Sequence, residues 1–249
     1  MAGVPRRARY VPQPVPTKIA ILLPPSEGKA PGGTGPPWEP GRSSLPGLDR
    51  ARARVVRAAG RAVATSPTLP AIERYTGVLY KELAYASAPA ATRRRIDRSV
   101  LIVSGLLGVV GPLDPVPEHR LKMSASLPRL GKLSTWWRPQ LTAALADALA
   151  GAVVWDLLPN EHAAAWSPEG VAVRRRITVR FADVNGATVA HWNKLLKGAL
   201  VRHVLDHSIT DPRDLGSWEH PSGYRLDPKL SELSSPTALV TLSERPKRR

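Results

Sequence analysis

Three short runs of uninterrupted apolar residues punctuate the first two thirds of the chain. They are Lys18–Leu23 (KIAILL), Val100–Ser104 (VLIVS) and Val153–Leu158 (VVWDLL). Runs this short with no polar alternation predict strands buried on both faces, and Pro24 and Pro159 stop the first and third. Between them the period changes to that of a helix, over Leu48 to about Thr65, again ending at the basic cluster Thr92–Arg98, and over 136–150. Leu195, Leu196, Ala199, Leu200, Val204 and Leu205 recur at helical spacing and predict a helix over Asn193–His207. Ile177–Asp183 and Ala187–His191 flank Asn185-Gly186, which predicts a hairpin. Residues 30–47, rich in Gly and Pro, predict a long loop, and the chain past Asp211-Pro212 reads as irregular. Strands alternating with helices, then a hairpin, predict an α/β (mixed α+β) fold. Its expected form is a single domain with a mixed parallel and antiparallel sheet surrounded by helices. The expected boundaries are a disordered, basic, proline-rich lead-in over 1–17, one domain over 18–230 and a basic tail over 231–249.

Charge changes this picture more than hydropathy does. The 249 residues carry 36 Lys and Arg against 20 Asp and Glu, a formal charge of +16. An excess of that size attracts polyanions, with DNA the leading candidate, although a GC-rich genome, which inflates Arg, Ala and Pro, produces the same excess. There is no cysteine, which excludes disulfides, thiolate metal sites and cysteine nucleophiles. No apolar run reaches the length of a membrane span or of a signal-peptide core, so a cytoplasmic protein with no membrane partner is expected.

Five segments hold the candidate chemistry. Pro24–Lys29 (PPSEGK) follows the first strand, where α/β folds seat ligands, and offers Ser26 and Lys29 to an anion. Arg74-Tyr75-Thr76-Gly77 with Tyr80 combines a cation with aromatic rings, a means of gripping a base. Ser104, Gly105, Gly108 and Gly111 lead to Arg120 and Lys122, whose alternation with Leu121 and Met123 predicts a two-cation strand face. Asn160-Glu161-His162 follows the third strand. With His119 and His191 scattered and no metal-binding spacing, it predicts neither a metal nor a cofactor, and Glu161 reads as a general base or a lysine partner. Lys194 and Lys197 are helix neighbours beside Gly198. Two functions fit these residues. One is a cleft of cations holding nucleic-acid phosphate. The other is an enzyme acting on a nucleotide or nucleobase, with Lys29, Glu161 and Lys194 as catalytic candidates.

In this order the segments ILLPPSEGKA, RYTGVLYKEL, LIVSGLLGVVGPLDPVPEHRLKM, VVWDLLPNEHAAAW, FADVNGATVAH and NKLLKGALVRHVL resemble the YaaA peroxide-stress family, over roughly residues 18–226. The resemblance implies a mixed α/β fold with a positively charged cleft, and binding of DNA, including distorted or open forms. It also implies a part in limiting damage when peroxide and unincorporated iron generate DNA-breaking radicals. Carried over, the cleft would include Ser26, Lys29, Arg74, Tyr80, Arg120, Lys122, Lys194 and Lys197, with Glu161 near its floor. Some relatives carry a helix-hairpin-helix segment before the Tyr-Gly motif, whereas residues 62–74 here are short and proline-containing and show no such motif.

Overall fold

A computed structural model describes residues 18–189 and 193–244. Its frame is a seven-stranded sheet. The strands are β1 (Ile19–Leu23), β2 (Val100–Ser104), β3 (Gly108–Val110), β4 (Val153–Asp156), β5 (Arg175–Ala182), β6 (Tyr224–Leu226) and β7 (Thr237–Glu244). Their spatial order is β6-β7-β5-β4-β1-β2-β3. The five inner strands run parallel, and the edge strands β6 and β3 are antiparallel to their neighbours. In register, Ile21 sits beside Trp155 on one side and Val100 on the other. Every residue of β2 and β4 is buried, as expected for central parallel strands covered on both faces.

Among the described residues five α-helices of six residues or more surround this sheet: α1 (Asp49–Ala58), α2 (Val78–Leu83), α3 (Ala90–Ser99), α4 (Leu133–Ala148) and α5 (Asn193–His207). Among the described residues no helix is long and apolar enough to cross a membrane. Helices α2 and α5 cross closely at Gly198, where a Cβ would lie 2.3 Å from the Leu79 carbonyl oxygen and 2.6 Å from Glu82 Cβ. The glycine inside an otherwise regular helix is therefore a packing requirement.

Several expectations need correction. The helix expected over Leu48–Thr65 ends at Ala58, and Gly60, at φ 100°, separates it from a single turn at Arg61–Ala64. The Asn185-Gly186 hairpin forms over its described residues: Val189 N–H donates to the Phe181 carbonyl, Asp183 N–H to the Ala187 carbonyl, and Ala182 bridges Thr188, on the edge of β5 that β4 leaves free beyond Thr178. His191 lies outside the described residues. The chain past Pro212 is not irregular, and the stretch expected as a tail from 231 contains β7, a full member of the sheet. Residues 118–122 form no strand; the strand there is Pro115–Pro117, which pairs with Thr68–Pro70.

Gly198→Ala should destabilise the fold by about 1–3 kcal/mol, since the clash is with backbone that cannot swing aside. A thermal melt should show a drop of several degrees with no change in helix content at low temperature.

Candidate functional site

The connection leaving β1 travels toward β2, while the one leaving β4 travels toward β5. Connections that diverge from adjacent parallel strands leave a crevice at the strand ends, the position where open α/β sheets bind ligands. Here it is an open cleft of about 470 Å³. Its walls come from residues 25–29 after β1, from residues 118–122, and from Glu161 and His162 after β4.

The charged lining is mixed. Lys29, Arg120 and Lys122 face the same space as Glu27, Glu118 and Glu161. Lys122 Nζ lies 3.1 Å from Glu27 Oε1, an exposed pair. Its hydrogen bond and charge, with Lys194 further off, hold the Glu27 carboxyl below its ordinary range. Glu118 accepts a hydrogen bond from Gly32 N–H at 2.9 Å, and Glu161 accepts one from Ser124 N–H at 2.9 Å. Desolvation raises the Glu161 pKa, but the Ser124 hydrogen bonds, His162 and Lys122 outweigh it, so the net shift is downward. Lys29 donates to the Ser26 carbonyl at 3.0 Å and lies 5.7 Å from the Tyr75 ring centroid. Burial, then Arg74 and Lys122 against the opposing pull of Glu27, lower the Lys29 pKa.

Two imidazoles lie low in the cleft. His119 is 5% exposed; its Nδ1 accepts from Leu121 N–H, and its Nε2 is buried without a partner. Burial, with Lys29 and Arg74 nearby, pushes its pKa down to about 3. His162 is 9% exposed with Nδ1 unpartnered, and burial also lowers its pKa. Sequence reasoning weighed both only as metal ligands. Among the described residues no group of three His, Asp or Glu side chains is placed to hold a metal ion.

The remaining expected site residues divide. Ser26 sits in the wall, its hydroxyl donating to the Gly28 carbonyl. Lys194 is exposed on α5 and outside the cleft lining, although its charge reaches Glu27. Gly105 is structural, since a Cβ there would lie 2.8 Å from the Lys122 carbonyl carbon; it lets residues 122–123 approach β2. Ser104 is fully buried, accepting from Leu106 and Leu107 N–H.

Four residues do not present themselves to a ligand. Arg74 is fully buried and donates to the carbonyls of Ala30, Gly32, Pro67 and Val116, so four of its five N–H donors are spent on backbone. Tyr75 is 1% exposed, and burial pushes its hydroxyl up to about 12. The Tyr80 hydroxyl donates to the Pro24 carbonyl at 2.8 Å, and its ring packs 5.5 Å from that of Tyr75. Neither ring is open for a base to stack on. Lys197 turns into the core from α5 and donates to the Leu157 carbonyl at 2.7 Å, just past β4. Burial lowers its pKa to about 8, against the pull of Asp156.

Comparison with known proteins bears on this arrangement. A family model described as "Peroxide stress protein YaaA" matches residues 44–230. A UPF0246 protein of Streptomyces coelicolor is 38% identical, over 75% of this chain and 83% of the relative. A UPF0246 protein of Corynebacterium glutamicum is 33% identical over 74% and 84%, and one of Lacticaseibacillus paracasei is 34% identical over 70% of each.

Two outcomes test this site. Arg74→Met strands four carbonyls and should cost at least about 3 kcal/mol in urea unfolding, since each buried acceptor left without a donor costs about 1–3 kcal/mol. Because the His119 pKa is lower folded than unfolded, the unfolded chain takes up the extra proton. Stability from this group is complete above about pH 6.5 and is lost as pH falls toward 3. His119→Gln should flatten the fall in urea midpoint between neutral pH and about pH 4.

Proposed function

The chain belongs to the YaaA peroxide stress protein family, and from that premise we propose that it acts under peroxide stress by holding nucleic-acid phosphate in the crevice between β1 and β4. One observation carries this reading: Lys29, Arg120 and Lys122, from two segments far apart in the chain, open onto one crevice at the ends of parallel strands. Among the described residues Lys122 is tied only to Glu27, in an exposed pair, which contributes little and yields readily to a phosphate. Glu118 and Glu161 are committed to backbone amides and stay in place. The volume lies at the small end of the range for pockets that enclose one small ligand, roughly 300–1,000 Å³. The crevice therefore suits one nucleotide of an opened strand better than the side of a duplex. The excess charge of the whole chain supplies long-range attraction.

The second reading is an enzyme acting on a nucleotide or nucleobase. Favouring it, Glu161, Lys29 and two uncharged imidazoles share the crevice with the phosphate-binding groups. Against it, Lys194 is outside the lining, and no hydrogen bond joins Lys29 to Glu161 among the described residues.

Anisotropy of a fluorescent DNA with a central unpaired bubble, titrated across salt, tests the binding reading. Affinity should fall steeply with salt, and Arg120→Gln/Lys122→Gln should reduce the logarithmic slope by about 1–2, at roughly 0.7 per phosphate contact on single strands. Salt-independent binding, or a slope indifferent to the double variant, defeats it. Conversion of a nucleotide that Glu161→Gln abolishes while binding persists would move the assignment to the enzyme.

A further inference from the structure

The crevice is not where uncompensated positive charge is densest. Arg50, Arg54 and Arg57 follow one another along α1 at four- and three-residue spacing and so share one face. Arg52 points the other way and is fully buried. Its donors go to Asp49 and to the carbonyls of Ser44, Leu45, Leu107 and Val109. On the outer face a depression of about 470 Å³ is lined by Arg54, Arg57, Ala58, Pro128, Arg129 and Leu130. No carboxylate lines it, in contrast to the crevice. The three arginines are exposed, and among the described residues none of them enters an ion pair.

Two details bear on how these side chains are held. The Arg54 guanidinium lies over the indole of Trp136, 4.4 Å from the ring centroid. Stacking orders a guanidinium while leaving its N–H edge donors unspent. Arg129 sits at the tip of the turn joining Ser126–Leu127 to Gly131–Lys132, with φ 62°, a left-handed conformation that non-glycine residues seldom adopt.

We propose that this arginine trough is a second phosphate-contact site, separate from the crevice, that takes the sugar–phosphate backbone of DNA. Guanidinium forks match phosphate oxygens two at a time, which lysines do not. Arg50, Arg54 and Arg57 rise about 6 Å and then about 4.5 Å along the helix axis. They form a row for successive charges on one strand, with Arg129 facing them from across the depression. The rest of the lining, Ala58, Pro128 and Leu130, has no side-chain donor or acceptor with which to read a base edge. Such a contact positions nucleic acid without selecting sequence. An anionic membrane is less well suited, because Leu130 is half-buried and packed on the core. The trough shares no residue with the crevice, so this inference stands apart from the crevice reading.

The test uses the full chain with Arg54→Gln/Arg57→Gln/Arg129→Gln and a mixed-sequence duplex, read by anisotropy between about 50 and 200 mM salt. The logarithmic salt slope should fall by about 2–3, at roughly 0.9 per phosphate, with a loss of affinity that is the same for unrelated sequences. The matching Arg→Lys triple should restore most of the slope but not the affinity. Should the triple variant fail to fold, Arg57→Gln and Arg129→Gln singly should each lower the slope by about one. A folded triple variant with an unchanged slope overturns the proposal. So does loss of binding to phosphatidylserine vesicles with duplex binding intact, which assigns the trough to a membrane. With the bubble DNA in place of the duplex, so that both sites can be filled, a slope lowered by Arg120→Gln/Lys122→Gln and not by the trough variant eliminates the trough alone. The reverse result eliminates the crevice and keeps the trough.

Discussion

The guanidinium of Arg74 is buried among the carbonyls of Ala30, Gly32, Pro67 and Val116. A buried cation is costly unless its donors are met, and carbonyls of irregular backbone are costly unless some donor meets them. Each problem solves the other here. The consequence reaches the crevice directly. Ala30 follows Lys29, and Val116 shortly precedes the segment carrying Arg120 and Lys122, so one side chain sets the spacing of two walls. A lysine offers no planar fork with which to span four acceptors.

The same device recurs. Arg52 fastens the loop before α1 to the turn between β2 and β3, and Lys197 fastens α5 to the chain leaving β4. Three cations thus serve as internal ties. Net charge counted from composition cannot separate such ties from surface charge, and the two differ in kind. Arg52 and Arg54 stand two residues apart on one helix; one has spent its donors inside the fold and the other keeps its own at the surface.

The strands of the sheet centre were legible because both faces are buried: VLIVS needs no context to read as β2, and the spacing of Leu196, Leu200 and Val204 marks α5 over its full length. β7 was missed although Ala238, Val240 and Leu242 alternate as an inward face should, because the Ser- and Pro-rich stretch before it reads as irregular. The hairpin was legible from its turn chemistry, and its arm finds an edge because β4 pairs with β5 only as far as Thr178, a limit that no short segment encodes. Arg74, Tyr75 and Tyr80 were read as ligand-facing because residue type alone does not tell a base-stacking ring from a core ring. Burial of the hydroxyls, with Tyr80 bonded to Pro24, decides it.

The mixed charge of the crevice then has a physical reading. A concavity lined only by cations holds any polyanion, whereas fixed carboxylates penalise a dense run of phosphates and still admit a single one. Rejection of wrong ligands by like charge is a common route to specificity. Glu118 and Glu161 suit that role because backbone amides hold them in place, while Glu27, paired only with exposed Lys122, can give way. On the two proposals above, affinity and choice reside in different places. The carboxylate-free arginine row supplies attraction without regard to sequence or form. The crevice, small and guarded by anions, decides whether an opened nucleotide enters.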